Sequence, residues 1–340
     1  MTSIPAAPNR WAAVALVACA LVAGPAAGGS AGGVFAPLSP LAGAKPWTAT
    51  PADDGGPLRF AVIGDRTGVA RPGVFPQAMK QIAWLAPDFV IPVGDLIEGY
   101  EDDPAKVGRE WDEFDGFLKP LNRPFIFVPG NHDLTNATEL AIWEARHGPP
   151  YYGFLYKHAL FLVLDTEDPP MPVAAAGAAS FHALVELMNR DPEAGDQEVE
   201  QTYFKRPPPA IETDVHFSDA QVDFVRKALA AHKDVRWTFV FFHKPAWNSD
   251  SANWRRIETL LADRPYTVFA GHLHYYDHTV RGGHDYFDMA TTGAIAHRAG
   301  PGTMDHTLLV TLTPKGPSYA NIRLNGLSDA DNQTGQVRAH

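Results

Sequence analysis

Several polar residues stand out because each directly follows a short apolar run. The run 58–63 ends in Gly64-Asp65, and 89–93 ends in Gly94-Asp95. The run 125–128 leads into Gly130-Asn131-His132-Asp133, and 160–164 ends in Asp165. The run 237–242 ends in His243, and 266–270 ends in Gly271-His272-Leu273-His274. Asp, Asn and His side chains together suit a divalent transition metal such as Mn, Fe or Zn. The glycine before Asp65, Asp95, Asn131 and His272 lets the backbone turn sharply and bring a side chain close to an ion. His272 and His274 are two apart, so in an extended segment both rings face one side. They could serve one metal or one metal each. A single Gly-Asp is ordinarily a turn, and a single histidine such as His243 is ordinarily a packed one. Specificity comes from the ordered set.

Positioning such a set requires a sheet. Apolar runs of this length read as buried strands. Between them lie helix-like stretches, one capped by Ser218 with apolar face Val222, Val225 and Leu229, another over 254–261. Strands alternating with helices give an α/β sheet, in which ligands sit beyond the carboxyl ends of the strands. Every polar terminus above lies at such an end. The chain has 340 residues, 45% hydrophobic and 20% charged, which excludes a disordered polymer. Its formal net charge of −11 makes it a poor non-specific partner for nucleic acid or an anionic membrane. The one cysteine, Cys19, cannot form an internal disulfide or a Cys-rich zinc site.

The order Gly-Asp, Gly-Asp, Gly-Asn-His-Asp, His, Gly-His-x-His resembles the calcineurin-like metallophosphoesterase superfamily, which includes purple acid phosphatases and serine/threonine protein phosphatases. The resemblance covers roughly 58–293. It implies a four-layer α/β/β/α sandwich and a two-metal site holding divalent or trivalent ions. Metal one would take Asp65 and His274, metal two would take Asn131, His243 and His272, and Asp95 would bridge them. A metal-bound hydroxide would then hydrolyse a phosphate mono- or diester while His132, not itself a ligand, acts as acid or electrostatic clamp. Many members carry a histidine two residues after the first aspartate; this chain has Thr67, which leaves metal one with fewer ligands. Purple acid phosphatases use a tyrosine three residues after the bridging aspartate, and serine/threonine phosphatases a carboxylate that orients the catalytic histidine. Here that position is Glu98, expected to partner His132, with ligation of metal one as its other reading. Asp133 is the second choice as partner of His132.

The flanking regions read differently. Arg10, the apolar run 11–24 and small residues through 31 describe a signal peptide, giving a secreted or periplasmic protein without a stable membrane span. Leu16-Val17-Ala18-Cys19 also resembles a lipoprotein cleavage box, so lipid anchoring through Cys19 is the alternative. Residues 32–57 read as a Pro/Gly-rich linker, 58–327 as the metallophosphoesterase domain, and 328–340 as a polar tail. An insertion at about 169–214 breaks the strand grammar and enters on the rim of the site, as a lid would. Arg66 reads equally as a phosphate contact or a salt bridge. His278, His284, His297 and His306 could line the pocket but read first as strand histidines, and Tyr151, Tyr152 and Phe154 as strand aromatics rather than a nucleic-acid platform. The expected partner is a phosphate-ester substrate. The alternatives are a catalytically impaired binding module that keeps the fold, motivated by Thr67, and another metallohydrolase. A zinc deaminase would need cysteine ligands, and a zinc peptidase its His-Glu-x-x-His helix; neither set is present.

Overall fold

The protein is described by a computed structural model covering residues 34–39, 41, 43–204 and 214–327. The smaller sheet contains β2 (Leu58–Ile63), β3 (Phe89–Pro92), β10 (His306–Thr313) and β11 (Gly316–Arg323), in the order β11-β10-β2-β3. The larger contains β1 (Ala36–Pro37), β4 (Tyr152–Tyr156), β5 (Ala159–Val163), β6 (Trp237–Phe241), β7 (Tyr266–Ala270), β8 (Asp277–Arg281) and β9 (His284–Asp288), in the order β1-β4-β5-β6-β7-β9-β8. The β2–β3 pair and the run β5-β6-β7-β9 are parallel.

Strand periodicity explains the layering. Successive residues of β2 point to opposite faces. Phe60 and Val62 enter a core with Phe161, Phe239 and Phe241 of the larger sheet, while Ala61 and Ile63 face Met79, Trp111 and Phe114. Phe60 meets Phe239 and Phe161 edge-on, with centroids 4.9 and 5.3 Å apart. Truncating so enclosed a ring costs about 3–5 kcal/mol. Helices α1 (Val74–Trp84), α2 (Pro104–Leu118) and α3 (Ala137–His147) cover the outer face of the smaller sheet. Helices α6 (Asp219–Ala231) and α7 (Ala252–Leu261) cover that of the larger, through Val225, Leu229 and Ile257. The result is the expected α/β/β/α sandwich. Ser218 caps α6, its Oγ accepting from Gln221 N–H at 3.4 Å.

Two stretches depart from expectation. Residues 125–128 are buried but make only isolated bridges, Val90↔Phe125 and Trp47↔Ile126. Pro124 and Pro129 bracket them, and proline lacks the donor a continued ladder needs. The stretch 32–57 is not simply a linker. Phe35 and Trp47 are buried in the inter-sheet core, and β1 pairs with β4. These two aromatics, set in a Pro/Gly-rich background, dock a segment whose composition alone predicts none of it.

The insertion folds as α4 (Ala175–Arg190) and α5 (Pro192–Thr202), outside the four layers. Leu184, Met188 and Val199 form a small core with Val69 and Ile295 of the main domain. Residues 1–31 and 328–340, read as signal peptide and tail, lie outside the described residues, as does 205–213 of the insertion. Among the described residues no helix is long and apolar enough to cross a membrane.

Candidate metal centre

The carboxyl ends of β2, β3, β6 and β7 converge with the loop after residue 128. Nε2 of His243 lies 3.0 Å from Asp95 Oδ2 and 3.0 Å from Asn131 Oδ1. Nε2 of His274 lies 3.2 Å from Asp65 Oδ2. Potential ligand atoms of Asp65, Asp95 and His274 fall within 4.8 Å of one another, and so do those of Asp95, His243 and His272. Asp95 belongs to both groups. The structure thus brings together Asp65, Asp95, His243, His272 and His274, all named from the sequence, and Asn131 adjoins them through its contact with His243.

Backbone geometry shows how tightly these groups are brought together. Asp95, His272 and His274 have φ of +56°, +70° and +49°. Such left-handed backbone costs a non-glycine residue on the order of 1–3 kcal/mol and persists only where the surroundings impose it. Two glycines make room for the carboxylates. A Cβ on Gly130 would lie 2.2 Å from Asp95 Oδ1, and one on Gly271 2.3 Å from Asp65 Oδ1.

Hydrogen-bond roles test whether a cation fits. A carbonyl only accepts, so His243 Nδ1–H donates to Val93 O (2.8 Å) and His274 Nδ1–H to Ile295 O (2.5 Å). In the neutral rings both Nε2 atoms then face inward as lone pairs. Asn131 Nδ2–H donates to Tyr100 Oη at 2.7 Å, turning its Oδ1 inward as well. The His243 Nε2 lone pair thus faces oxygens of Asp95 and Asn131, each 3.0 Å away, with nothing but repulsion unless a cation or proton lies between. Buried Asp65 Oδ1 has no hydrogen-bond partner among the described residues. The electrostatics agree. Burial, reinforced by the Asp95 charge, pushes the Asp65 carboxyl up to about 7. Burial opposes a charge on His243, yet Asp95 and Asp65 raise that ring to about 9. Burial would also raise Asp95, but the His243 and His132 rings hold its carboxyl well below the usual range. This is a donor set that fits metal ions.

His132 sits beside the cluster. Its backbone N–H donates to Asp95 Oδ1 at 3.0 Å, and its Nε2 lies 3.9 Å from Asp95 Oδ2. The partner of its Nδ1 is the backbone carbonyl of Glu98, at 2.6 Å, not the Glu98 carboxylate. That carboxylate accepts from Val69 N–H (3.2 Å) and Ala70 N–H (2.8 Å) in the loop after Asp65. From sequence the expected partner is the Glu98 side chain; here the turn after Asp95 aims its carbonyl, not its carboxylate, at the ring. Asp133 does not take the role either. It accepts from Leu96, Ile97 and Gly130 N–H, tying the Asp95 and Asn131 loops together.

Three contacts escaped sequence reasoning. Tyr100 stacks on His132, with centroids 4.2 Å apart, while its hydroxyl holds Asn131; it too has left-handed backbone, φ +57°. The one sequence signal was an aromatic residue in the otherwise acidic loop 98–103. Phe181 of α4 packs on His132 and Tyr100, with centroids at 4.9 and 5.1 Å. His297 stacks on His274 at 3.9 Å and carries Tyr203 at 5.3 Å. Of the histidines read as strand residues, His297 thus lies at the site, while His278 pairs with Asp285 and His306 is buried on β10. Arg66 bonds Leu96 O and pairs with Glu113, the salt-bridge reading rather than the phosphate one.

A sequence model of the family described as Calcineurin-like phosphoesterase matches residues 58–276. The 3′,5′-cyclic adenosine monophosphate phosphodiesterase CpdA of Haemophilus influenzae is 24% identical over 128 residues, 37% of this chain. The match spans 44% of that relative's length. A dimetal phosphatase from Danio rerio superposes with a TM-score of 0.53 at 16% identity, covering 79% of this chain and 99% of that one. A purple acid phosphatase from yellow lupin seeds gives 0.50 at 12% identity, covering 75% of this chain and 49% of that one.

Proposed function

Because the chain belongs to the calcineurin-like phosphoesterase family, we propose that it is a dinuclear metal-dependent hydrolase of phosphate mono- or diesters. One observation carries this reading: two ligand groups share Asp95, and a non-ligand histidine is fixed beside them. Asp65, His274 and Asp95 would hold one ion; Asp95, Asn131, His243 and His272 the other. Two bound ions, of Mn, Fe or Zn, would neutralise the phosphoryl oxygens and lower the pKa of the attacking water.

The chain's own groups do the rest. With Nδ1 on the Glu98 carbonyl, His132 turns Nε2 toward the cluster, 3.9 Å from Asp95 Oδ2. Nε2 is the atom from which a proton would be given. As the ester bond to phosphorus breaks, that proton passes to the leaving oxygen, a contribution of about 10²–10⁴-fold. The relative named as a cyclic-nucleotide phosphodiesterase supports keeping diesters in scope. Metal analysis of purified protein beside a monoester and diester panel tests the proposal. Failure of the wild type to turn over any ester with any of the three metals would favour the impaired binding module that Thr67 suggests. The segment 1–31 motivates export, with anchoring at Cys19 as the competing outcome; the mass of the mature chain distinguishes them.

A further inference from the structure

We propose that Phe181 is a specificity-determining residue that selects phosphate esters whose alcohol carries a flat apolar ring close to the ester oxygen; this rests on the phosphoesterase reading above. His132 must reach the leaving oxygen with Nε2, since Nδ1 is committed to Glu98 O. The carbon skeleton behind that oxygen therefore lies next to whatever adjoins the His132 ring. One such neighbour, Tyr100, stacks on that ring and bonds Asn131. The other is Phe181, tilted against His132 and edge-on to Tyr100. Phe181 is only partly buried, so these contacts leave part of its ring open. It also lines a cavity of about 550 Å³ between α4 and α5, with Leu184, Leu187 and Tyr203. That volume is ample for a six-membered ring, and its lining sets these apolar side chains beside Ser180, Glu198 and Thr202.

The wall is anchored rather than draped. Leu184 and Met188, one and two turns on from Phe181, pack on Val69 and Ile295 of the main domain. His182, the next residue, meets Gly99 O through Nε2 at 2.9 Å. A ring held in this way contributes by stacking and by excluding water, as pockets for flat ligands do.

Benzyl phosphate and ethyl phosphate test this, because both release primary alkoxides of similar basicity and differ in the ring. In each reaction a water oxygen bonds to phosphorus, the ester P–O bond breaks and the alkoxide is protonated. The wild type should prefer benzyl phosphate in kcat/KM. Phe181→Ala should lower the benzyl-to-ethyl ratio about tenfold, and Phe181→Tyr should keep it, as expected for loss or retention of one stacking partner. The inhibition ratio of benzylphosphonate to ethylphosphonate should move in parallel, and the thermal midpoint checks folding. A ratio unchanged or raised in folded Phe181→Ala overturns the inference while leaving the phosphoesterase reading intact. A wild type inactive on every ester overturns both.

Discussion

The two halves of the centre share Asp95 but are built differently. The half around Asp65 and His274 is sealed. Both side chains are buried, the Asp65 carbonyl takes Thr292 and Ala294 N–H, and His274 lies beneath His297 and Tyr203. The half around Asn131, His243 and His272 is open: Asn131 and His272 are partly exposed, and Tyr100 rather than the insertion holds the ligand amide. The difference separates access from affinity. On the proposed assignment the open half offers more protein ligands and an entrance, and the sealed half fewer ligands behind a wall of packed rings. Burial should slow exchange at the sealed half even where its equilibrium affinity is the weaker.

The largest expected effect comes from removing what the halves share. Asp95→Asn should lower kcat/KM by about 10³-fold or more, since it weakens both sets of ligands and the electrostatic environment of His132 together. Metal content should fall from two ions toward none. Near-normal activity in a folded variant would mean the halves do not work as a unit.

Next is His132, which flanks the open half without joining it. An alkyl phosphate leaves as a basic alkoxide that needs a proton, whereas a nitrophenolate leaves readily without one. His132→Ala should therefore lose about 10²–10⁴-fold on alkyl esters and much less on nitrophenyl esters, at unchanged metal content. Equal losses would make its role electrostatic, and loss of an ion would make it a ligand. Glu98→Gln should show little leaving-group dependence, because its carboxylate holds Val69 and Ala70 while only its backbone meets the ring.

Tyr100 distinguishes the halves directly. Tyr100→Phe removes the hydroxyl that orients Asn131 but keeps the ring on His132. Affinity for one ion should drop about 10–100-fold, the usual cost of losing an outer partner of a ligand, with the other ion retained. Tyr100→Leu should add a loss on alkyl esters. Metal titrations that weaken both ions equally would contradict an Asn131-specific role.

Much of this was legible in the sequence. The fold and the cluster of candidate ligands follow from one repeated pattern, an apolar run ending in Asp, Asn or His, because strand ends in a parallel sheet point the same way and polar groups gather there. What was not legible depends on which atom a turn presents, or on contacts between distant segments. Glu98 was chosen by position, but the turn offers its carbonyl. Phe181 and Tyr203 lie in a stretch whose alanine-rich composition gives no hint that its aromatics reach His132 and His297. Phe35 and Trp47 are two apolar residues in a background too irregular to show any period, yet both enter the core.

The smallest effect, and the sharpest test of access against affinity, concerns Thr67. It follows Asp65 by two residues and is fully buried, with its N–H donating to Asp95 O at 3.1 Å. Its Oγ1 has no hydrogen-bond partner among the described residues, so the hydroxyl is a buried polar atom left unsatisfied. On the proposed assignment the sealed half has three protein ligands and the open half four. Equilibrium titration against a metal buffer should find the sealed half weaker, while rapid chelation should empty it more slowly. Thr67→His should raise its affinity several-fold and bring the two equilibrium constants together. The added ring must be accommodated in a filled space, which costs about 1–3 kcal/mol when the surroundings cannot yield, so a lowered thermal midpoint is expected alongside. If the two ions leave at the same rate and with the same affinity in the wild type, and Thr67→His changes neither, then neither burial nor ligand number distinguishes the halves.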